Sequence, residues 1–423
     1  MAVANPPRFQ PGHQPLAGMT VSREDWRLAE CTSWLEVNLP AIEHNTREMV
    51  SLVTKNGAKT QVCAVVKKNA YGLGAVQVAS RVAKAGVSML AVFSSEEAIE
   101  LIQASVSLPI LVLMPFERLT RNDNVLYRHA VQGRLHVALH DADQLQRFNE
   151  IARDLALRLP VHLHLDTGMS RGGFSPEALS RLVREELPKS KVQIAGIYTH
   201  MASSDIDPQA TAAQLKKLHD FCAEHKAQLP ENLLIHAANT CATLRGAENH
   251  LGMVRVGLGL SGVGAEVMRN GSAVAIPLRQ AIAWKSRIIH AAAYKAGATV
   301  GYQSTCRLEK DSILGLVPVG YGDGYPLGLA NKGIVRVRLK GQPPADCRVL
   351  GLVNMDQIIV DLSPAVALST DPISLKGTEV DVISADPTAP NTLARFSAAA
   401  GIHPYAVMCG ISAKVHRKYL YQE

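Results

Sequence analysis

A lysine at the end of a short apolar run carries the most distinctive chemistry of this sequence. Residues 64–74 read AVVKKNAYGLG, and the apolar residues before Lys67 predict a buried strand at 62–66. An ammonium group at the edge of a core is costly without a partner, and desolvation lowers its pKa. Such a lysine attacks aldehydes, so the segment predicts a Schiff-base lysine, with Tyr71 able to reach a phosphate. The alternative is that Lys67 and Lys68 only mark a strand leaving the core.

Eight short apolar segments predict the scaffold that positions this lysine. They lie at residues 62–66, 89–93, 110–114, 135–138, 161–165, 192–198, 233–236 and 253–256. Helical patterns separate most of them, with capping boxes at Ser94 with Glu97 and at Asp141 with Gln144. Alternation of eight strands with helices predicts an α/β fold, a parallel (β/α)₈ barrel of the TIM type. Its active site is expected at the carboxyl ends of the strands, where Lys67 follows the first one.

The pattern changes after about residue 272 to that of a mainly β domain. Its alternating segments lie at residues 281–289, 313–318, 334–339, 347–361 and 379–383, with a helical insertion near 392–400. We therefore expect a flexible tail and lead-in at residues 1–32, a barrel at 33–272 and a mainly β domain at 273–423. The first strand, at 33–39, is expected to join the β domain.

Composition narrows the class of protein and its partners. The formal net charge is +7, but aromatic residues make up only 5% of the chain and no basic run is interleaved with them, which argues against nucleic-acid binding. Seven well-separated cysteines without a Cys-x-x-Cys pair favour a reducing compartment over a disulfide or metal framework. No apolar run approaches the roughly 18 residues of a membrane span. We expect a cytoplasmic protein that acts on a small molecule and holds no metal.

Residues 65–74 resemble the signature of alanine racemases, whose lysine holds pyridoxal 5'-phosphate (PLP). Two positions depart from the family pattern. Lys68 stands where the family has a small residue, and Leu73 stands where the family has a histidine. Since successive residues of an extended chain point to opposite sides, only one of the two lysines can face a pocket. The resemblance assigns PLP to Lys67.

Two loops predict an anion site where barrels often bind phosphate, after strands seven and eight. The seventh strand runs into Asn239 and Thr240, and the eighth runs into Gly257 and Leu258. Glycines there could also be ordinary turn residues. Both segments resemble the family's phosphate-binding segments, with Thr240 replacing a serine, and the resemblance adds Tyr71 and Tyr405 as phosphate ligands.

Racemisation needs two acid–base groups on opposite faces of the substrate's Cα. The resemblance implies that Lys67 serves one face and Tyr302 the other, and that His200 contacts this tyrosine. Arg255, inside a predicted barrel strand, resembles the arginine that binds the PLP ring nitrogen; a structural ion pair is the alternative. Because an arginine keeps its proton, the ring would remain a weaker electron acceptor, which disfavours decarboxylation and transamination.

Substrate binding is implied for three residues by the same resemblance. Arg171, after strand five, would steer the substrate carboxylate, the backbone N–H of Met355 would bind it, and Tyr321 would line the entry. Many family members carry a carbamylated lysine where this chain has His164. His164 could replace it, with or without a chloride ion, or could be an ordinary residue of the barrel interior.

The resemblance thus implies a PLP-dependent isomerase that interconverts L-alanine and D-alanine and works as a homodimer with shared active sites. A broad-specificity amino-acid racemase is the alternative, but the Asp-Thr-Gly-Met segment at 166–169 stays close to the alanine form. A PLP-binding protein without catalysis would lack the β domain that carries Tyr302. A barrel-type decarboxylase would need a carboxylate where Arg255 stands.

Overall fold

The computed structural model describes residues 31–422 except 117, 265, 267 and 269–271. The predicted tail therefore lies almost wholly outside the described residues. In the described part, no helix is both long and apolar enough to cross a membrane. The domain boundaries expected from the sequence stay predictions.

Eight parallel strands close into a barrel, which confirms the predicted fold class. They are β2 (Gln61–Val65), β3 (Met89–Val92), β4 (Ile110–Val112), β5 (Leu135–Leu139), β6 (Pro160–His164), β7 (Gln193–Tyr198), β8 (Leu234–His236) and β9 (Met253–Val256). The barrel closes where β2 pairs with β9, with Cys63 opposite Arg255. The strands bury most of their residues because the barrel fills one face and helices cover the other.

Helices follow most barrel strands and bury one apolar face. They include α1 (Leu39–Thr54), α2 (Ala75–Lys84), α3 (Ser95–Gln103), α4 (Asn124–Val131), α5 (Ala142–Leu155), α6 (Pro176–Arg181), α7 (Pro208–Glu224) and α8 (Thr240–Arg245). Ser94 and Asp141 cap α3 and α5 as predicted. The reciprocal half of each box is wrong, because the side chains of Glu97 and Gln144 accept from the backbone one residue before the cap.

A nine-stranded sheet forms most of the remaining chain, in the order β11-β14-β17-β16-β15-β18-β10-β1-β19. Its strands are β1 (Ser33–Asn38), β10 (Ile282–Arg287), β11 (His290–Tyr294), β14 (Ser312–Val317), β15 (Ile334–Val337), β16 (Ala345–Leu350), β17 (Ile358–Asp361), β18 (Glu379–Ile383) and β19 (His416–Leu420). A small ribbon pairs β12 (Thr299–Val300) with β13 (Cys306–Arg307). Helices α9 (Leu393–Ala400) and α10 (Pro404–Gly410) precede β19.

Two features of this sheet differ from the sequence-based prediction. The segment 347–361 is not one strand but two, β16 and β17, which pair antiparallel around a turn at Gly351, whose φ is 74°. Strand β19 was missed because its polar sequence HRKYL lacks alternation. It pairs in parallel with β1, and β1 also pairs with β10, so the first described strand lies in this sheet.

Candidate active site

Residues 67–72, here called the lysine turn, follow β2 in an unusual conformation. Lys68, Asn69, Ala70 and Tyr71 have φ between 51° and 59°, which is a left-handed helical turn built without glycine. The extended chain assumed in choosing between Lys67 and Lys68 is therefore wrong. A left-handed residue costs about 1–2 kcal/mol, so the surroundings must hold this turn in place.

Hydrogen bonds from three directions hold the lysine turn. The Glu97 carboxylate accepts from the backbone N–H groups of Lys68 at 2.8 Å and Phe93 at 2.7 Å. The side chain of Asn69 accepts from Ala75 N at 2.7 Å, which ties the turn to the start of α2. From β19, Arg417 Nε donates to the carbonyl of Gly72 at 3.1 Å. The sequence pattern predicts only a capping role for Glu97, because its bond to Lys68 joins residues that are far apart along the chain.

Lys67 and Lys68 lie in different environments. Lys67 is half-buried at the carboxyl end of β2, and burial, helped by Arg171, lowers its pKa. Lys68 is exposed, with its ammonium nitrogen 5.3 Å from the centroid of the Phe93 ring. A lysine with a lowered pKa is more often unprotonated and therefore more nucleophilic. The geometry supports Lys67, not Lys68, as the reactive amine.

Two tyrosines and a glycine loop form a small polar pocket beside the lysine turn. The rings of Tyr71 and Tyr405 are 4.3 Å apart, and a Cβ on Gly257 would collide with both hydroxyl groups. Burial raises the pKa of Tyr71 and of Tyr405, so both hydroxyls stay protonated and can donate. Thr240 Oγ1 accepts from Gly257 N at 3.3 Å. These donors fit a phosphate group.

Asn239 and Leu258 complete this loop in different ways. The side chain of Asn239 caps α8 by accepting from Ala242 N at 2.9 Å, and it also accepts from Ser204. Its oxygen is therefore occupied by the protein itself. The N–H of Leu258 bonds to the hydroxyl of Tyr405. Direct phosphate contacts by Asn239 and Leu258 stay predictions.

Arg255 projects into the barrel and is held by neutral acceptors. Its NH1 donates to His236 Nδ1 at 2.8 Å, and its NH2 donates to the carbonyl of Thr199 at 2.8 Å and to His200 Nδ1 at 3.1 Å. Among the described residues no carboxylate lies within ion-pair distance of it, which disfavours the ion-pair alternative. No described residue accepts from its Nε. This donor is left for an acceptor such as a pyridine nitrogen.

The direction of one hydrogen bond shows which ring nitrogen of His200 carries the hydrogen. An arginine only donates, so His200 Nδ1 must accept and the neutral ring carries its hydrogen on Nε2. Burial, with a contribution from Arg255, holds the pKa of His200 well below its ordinary value. His200 is therefore a neutral donor rather than a base.

His164 lies in the barrel wall above an aromatic ring. It stacks on Tyr198 at 4.4 Å with 4° between the planes, and its Nδ1 lies 3.0 Å from Nδ1 of His140. The other nitrogen of His140 donates to the carbonyl of Leu113 at 3.0 Å, so His164 is the donor between the two rings. Burial lowers the pKa of His164 to about 3. His164 is thus a neutral ring held by His140 and Tyr198, and a chloride ion beside it stays a prediction.

Arg171 lies on the loop after β6. The carboxylate of Asp166 shapes that loop by accepting from the N–H groups of Gly168 and Met169, each at 2.9 Å. Arg171 itself is exposed, and its charge is close enough to Lys67 to lower the pKa of that lysine. It is available to an anionic ligand beside Lys67.

Tyr302, Tyr321 and Met355 stand apart from this pocket. They are 70%, 45% and 55% exposed, respectively. Within the described residues, none of them has a hydrogen bond or ring contact with Lys67, His200 or Arg255. The backbone N–H of Met355 also donates to no described residue, while its carbonyl accepts from Gly322 at 2.9 Å. One chain therefore brings together the predicted barrel residues and Tyr405, but not Tyr302, Tyr321 and Met355.

Comparison with known proteins identifies the family. The family models for the alanine racemase N-terminal and C-terminal domains match residues 37–264 and 281–419. The alanine racemase of Symbiobacterium thermophilum is 33% identical over 388 residues, which cover 92% of this chain and 97% of that protein. The chain belongs to the alanine racemase family. The alanine racemase of Synechocystis sp. is 34% identical over 91% of this chain and 98% of its own length.

Solved structures of the alanine racemase family share the fold. The enzyme from Streptomyces lavendulae superposes with a TM-score of 0.79 at 27% identity, covering 93% of this chain and 98% of that one. The enzyme from Bartonella henselae has a TM-score of 0.75 at 25% identity, covering 92% and 100%, and carries covalently bound pyridoxal phosphate.

The buried imidazoles predict that stability falls with pH below 6.5. Burial lowers the pKa of His136 to about 4 and that of His164 to about 3. Between pH 6.5 and 4 the unfolded chain binds protons that the folded chain does not. Each such imidazole therefore lowers the free energy of unfolding by about 1.4 kcal/mol per pH unit as the pH falls. Calorimetric melting between pH 7.5 and 5 measures the slope.

A matched pair of variants checks that assignment. His164→Gln should flatten the dependence of melting temperature on pH, because it removes one imidazole that binds a proton in the unfolded chain but not in the folded chain. His219→Gln, at an exposed position on α7, should leave the slope unchanged. If the melting temperature of both variants depended on pH with the same slope, His164 would not be one of the imidazoles that take up a proton on unfolding.

Bicarbonate is expected to have no effect on activity, because imidazole does not form the stable carbamate that a lysine forms. Racemase activity after dialysis in CO₂-free buffer should equal that after bicarbonate is restored. A bicarbonate requirement would mean that another lysine serves this loop. Lys217 would be the first to test, since its ammonium donates to the carbonyl of Thr167 at 3.2 Å.

Proposed function

We propose that this protein is a PLP-dependent racemase that interconverts L-alanine and D-alanine. The observation that carries the proposal is the placement of Lys67, half-buried with a lowered pKa, in the same barrel mouth as the hydroxyls of Tyr71 and Tyr405 and an arginine with a spare donor. The relatives and structures named above as alanine racemases support the reaction, and the Bartonella henselae enzyme supports the cofactor.

The residues of the barrel fit PLP. When bound, PLP acidifies the Cα–H bond of an attached amino acid by withdrawing electrons. Lys67 would hold its aldehyde carbon, and the hydroxyls of Tyr71, Tyr405 and Thr240 would hold its phosphate. The N–H of Gly257 would have to exchange its bond to Thr240 Oγ1 for one to the phosphate. Arg255 Nε would donate to the ring nitrogen. Since an arginine keeps its proton at the pH at which enzymes work, that nitrogen stays unprotonated and loss of the carboxylate or transfer of the amino group is disfavoured.

Two bases are proposed to exchange the Cα proton. The Nζ of Lys67 removes or returns it on one face, and the phenol oxygen of Tyr302 does so on the other. A phenol has an ordinary pKa near 10 and needs help to ionise. The Nε2–H of His200 is proposed to donate to this oxygen, with Arg255 polarising the imidazole from the other side.

The substrate carboxylate is proposed to bind between Arg171 and the backbone N–H of Met355, with Tyr321 at the entry. A planar guanidinium suits a carboxylate because it offers two parallel donors. Tyr302, Tyr321 and Met355 are exposed on the single chain and do not contact its barrel pocket, which leaves them available to a second subunit. We propose a homodimer in which the β domain of each subunit completes the barrel pocket of the other.

Chemical mapping tests the covalent role of Lys67. Borohydride reduction of the PLP-loaded protein, followed by peptide mass analysis, should place the pyridoxyl group on Lys67. A pyridoxyl group on Lys68, or on neither lysine, would overturn the assignment.

A panel of L-amino acids assayed for the D-product should show alanine as the main substrate, whereas comparable rates for larger side chains would mean a broad-specificity racemase.

A further inference from the structure

Three imidazoles form a continuous hydrogen-bonded row behind Arg255. His236 Nε2 lies 2.8 Å from His162 Nδ1, and His162 Nε2 lies 2.9 Å from His136 Nδ1. We call His136, His162 and His236 the histidine chain. Its first member accepts from Arg255 NH1 at 2.8 Å. The proposed reaction uses none of these three rings directly.

The histidine chain has one possible direction. Arg255 can only donate, so His236 Nδ1 accepts and His236 must carry its hydrogen on Nε2. That hydrogen points at His162 Nδ1, which must then accept. His162 therefore carries its own hydrogen on Nε2 and donates it to His136 Nδ1. Each ring is therefore the neutral Nε2–H tautomer. A proton on any acceptor nitrogen would place two donors face to face.

Burial keeps the three rings neutral. His162 and His236 are completely buried, and burial holds the pKa of each well below its ordinary value. The neighbouring positive charge of Arg255 lowers both further. The second nitrogen of His136 bonds to the carbonyl of Gly133, so the chain ends on a backbone acceptor. Every ring nitrogen in the chain has a partner.

The chain also crosses the barrel. Arg255 lies on β9 and His136 on β5, which are four strands apart in a closed ring of eight and so occupy opposite walls. His236 on β8 and His162 on β6 lie between them. Neighbouring ring centroids are 5.0 Å and 5.1 Å apart. The guanidinium is thus braced against the far wall as well as against the nearby carbonyls.

We propose that His136 is a positioning residue for the racemase: it accepts the last hydrogen bond of the histidine chain and thereby fixes the orientation of Arg255. The inference rests on the proposed function, because Arg255 matters there through its Nε. Without an acceptor at the position of His136 Nδ1, the Nε2–H of His162 loses its partner. His162 then gains by turning over, which removes the acceptor that His236 needs and loosens the NH1 contact of Arg255.

Two amide variants separate this role from simple packing. His136→Asn keeps an oxygen near the position of Nδ1, whereas His136→Gln places its amide near Nε2 and leaves His162 without an acceptor. Losing one buried hydrogen bond predicts a fall in kcat of about tenfold for His136→Gln, with KM within about twofold. His136→Asn should stay within about twofold of the wild type. His250→Gln is the control, because His250 is buried and bonded to the Thr243 carbonyl outside the chain.

Tautomers provide a readout that does not need activity. Nitrogen NMR of protein labelled with ¹⁵N-histidine should show the Nε2–H form for all three rings of the wild type with PLP bound. His162 should keep that form in His136→Asn and lose it in His136→Gln. A charged ring or an Nδ1–H form in the wild type would overturn the histidine chain. Equal kcat for His136→Asn and His136→Gln would overturn the positioning role.

These results are distinguishable from failure of the proposed function. If the wild type binds no PLP or racemises no alanine, the function is wrong, and the tautomers still decide whether the chain exists. If the wild type racemises alanine and His250→Gln lowers kcat as much as His136→Gln, the effect is general destabilisation and the inference about His136 is overturned.

Discussion

Mixed dimers made from Lys67→Ala and Tyr302→Ala subunits are expected to regain activity that neither variant has alone. Each variant should lose about 10²- to 10⁴-fold in kcat, because each lacks the base for one face of Cα. Tyr302 is 70% exposed and has no contact with Lys67 in its own chain. If each site takes Lys67 from one subunit and Tyr302 from the other, a mixed dimer has one site without both groups and one intact site.

The expected recovery follows from counting sites. Random exchange makes about half of the dimers mixed, and each mixed dimer has one working site of two, so activity should approach about one quarter of the wild type. Mass measurement of intact dimers shows whether exchange has occurred. Lys68→Ala and Tyr294→Ala remove an exposed lysine and an exposed tyrosine that have no proposed part in the reaction, so they are controls that should remain active alone. An inactive mixture in which mixed dimers are present would place both bases in one subunit's site.

Arg255→Glu is expected to slow racemisation and to increase pyruvate formation from alanine. A carboxyl group can share a proton with the cofactor's ring nitrogen, which makes PLP a stronger electron acceptor and favours transfer of the amino group. The substitution also places an acceptor among the acceptors that Arg255 now satisfies, including the carbonyls of Thr199 and Ala237. An unpaired buried polar group costs about 1–3 kcal/mol, so the variant should also melt at a lower temperature.

Arg255→Lys separates charge from hydrogen-bond geometry. It keeps a positive charge that does not protonate the ring but loses the planar fork that binds two imidazoles. We expect slower racemisation without extra pyruvate. Coupled assays for D-alanine and for pyruvate, on folded protein with PLP bound, measure both products. No rise in pyruvate for Arg255→Glu would show that this position does not control the fate of the substrate.

The barrel could be predicted from the sequence because its strands are local and nearly continuous in apolar residues. Segments such as Met253–Val256 can be recognised as buried strands from their own residues alone. The polar strand β19 and the division of 347–361 could not be read in that way, because pairing partners and a turn glycine decide them. Likewise, Glu97 looked like a helix cap, although its carboxylate also holds the lysine turn.

The family resemblance named candidate site residues one by one, but the sequence could not predict their geometry. An extended chain would put Lys67 and Lys68 on opposite sides, but a left-handed turn follows Lys67, and it cannot be predicted from residues that include no glycine at these positions. His136 and His162 gave no signal, since hydrogen bonds across a barrel join residues far apart in sequence. Tyr302 is exposed on its own chain, and the second subunit that we propose to bring it to Lys67 cannot be described by a pattern within one chain.

The lysine turn lies near the start of the chain but is held in part by Arg417, which is synthesised near the end. The barrel strands are complete at residue 256, but Arg417 is one of the groups that hold Gly72 and also binds the carbonyls of Ile411 and Val415. A nascent chain therefore has a finished barrel well before it has a braced lysine. Capture of the cofactor is accordingly expected only after β19 has paired, because until then Arg417 does not hold the turn that carries Lys67.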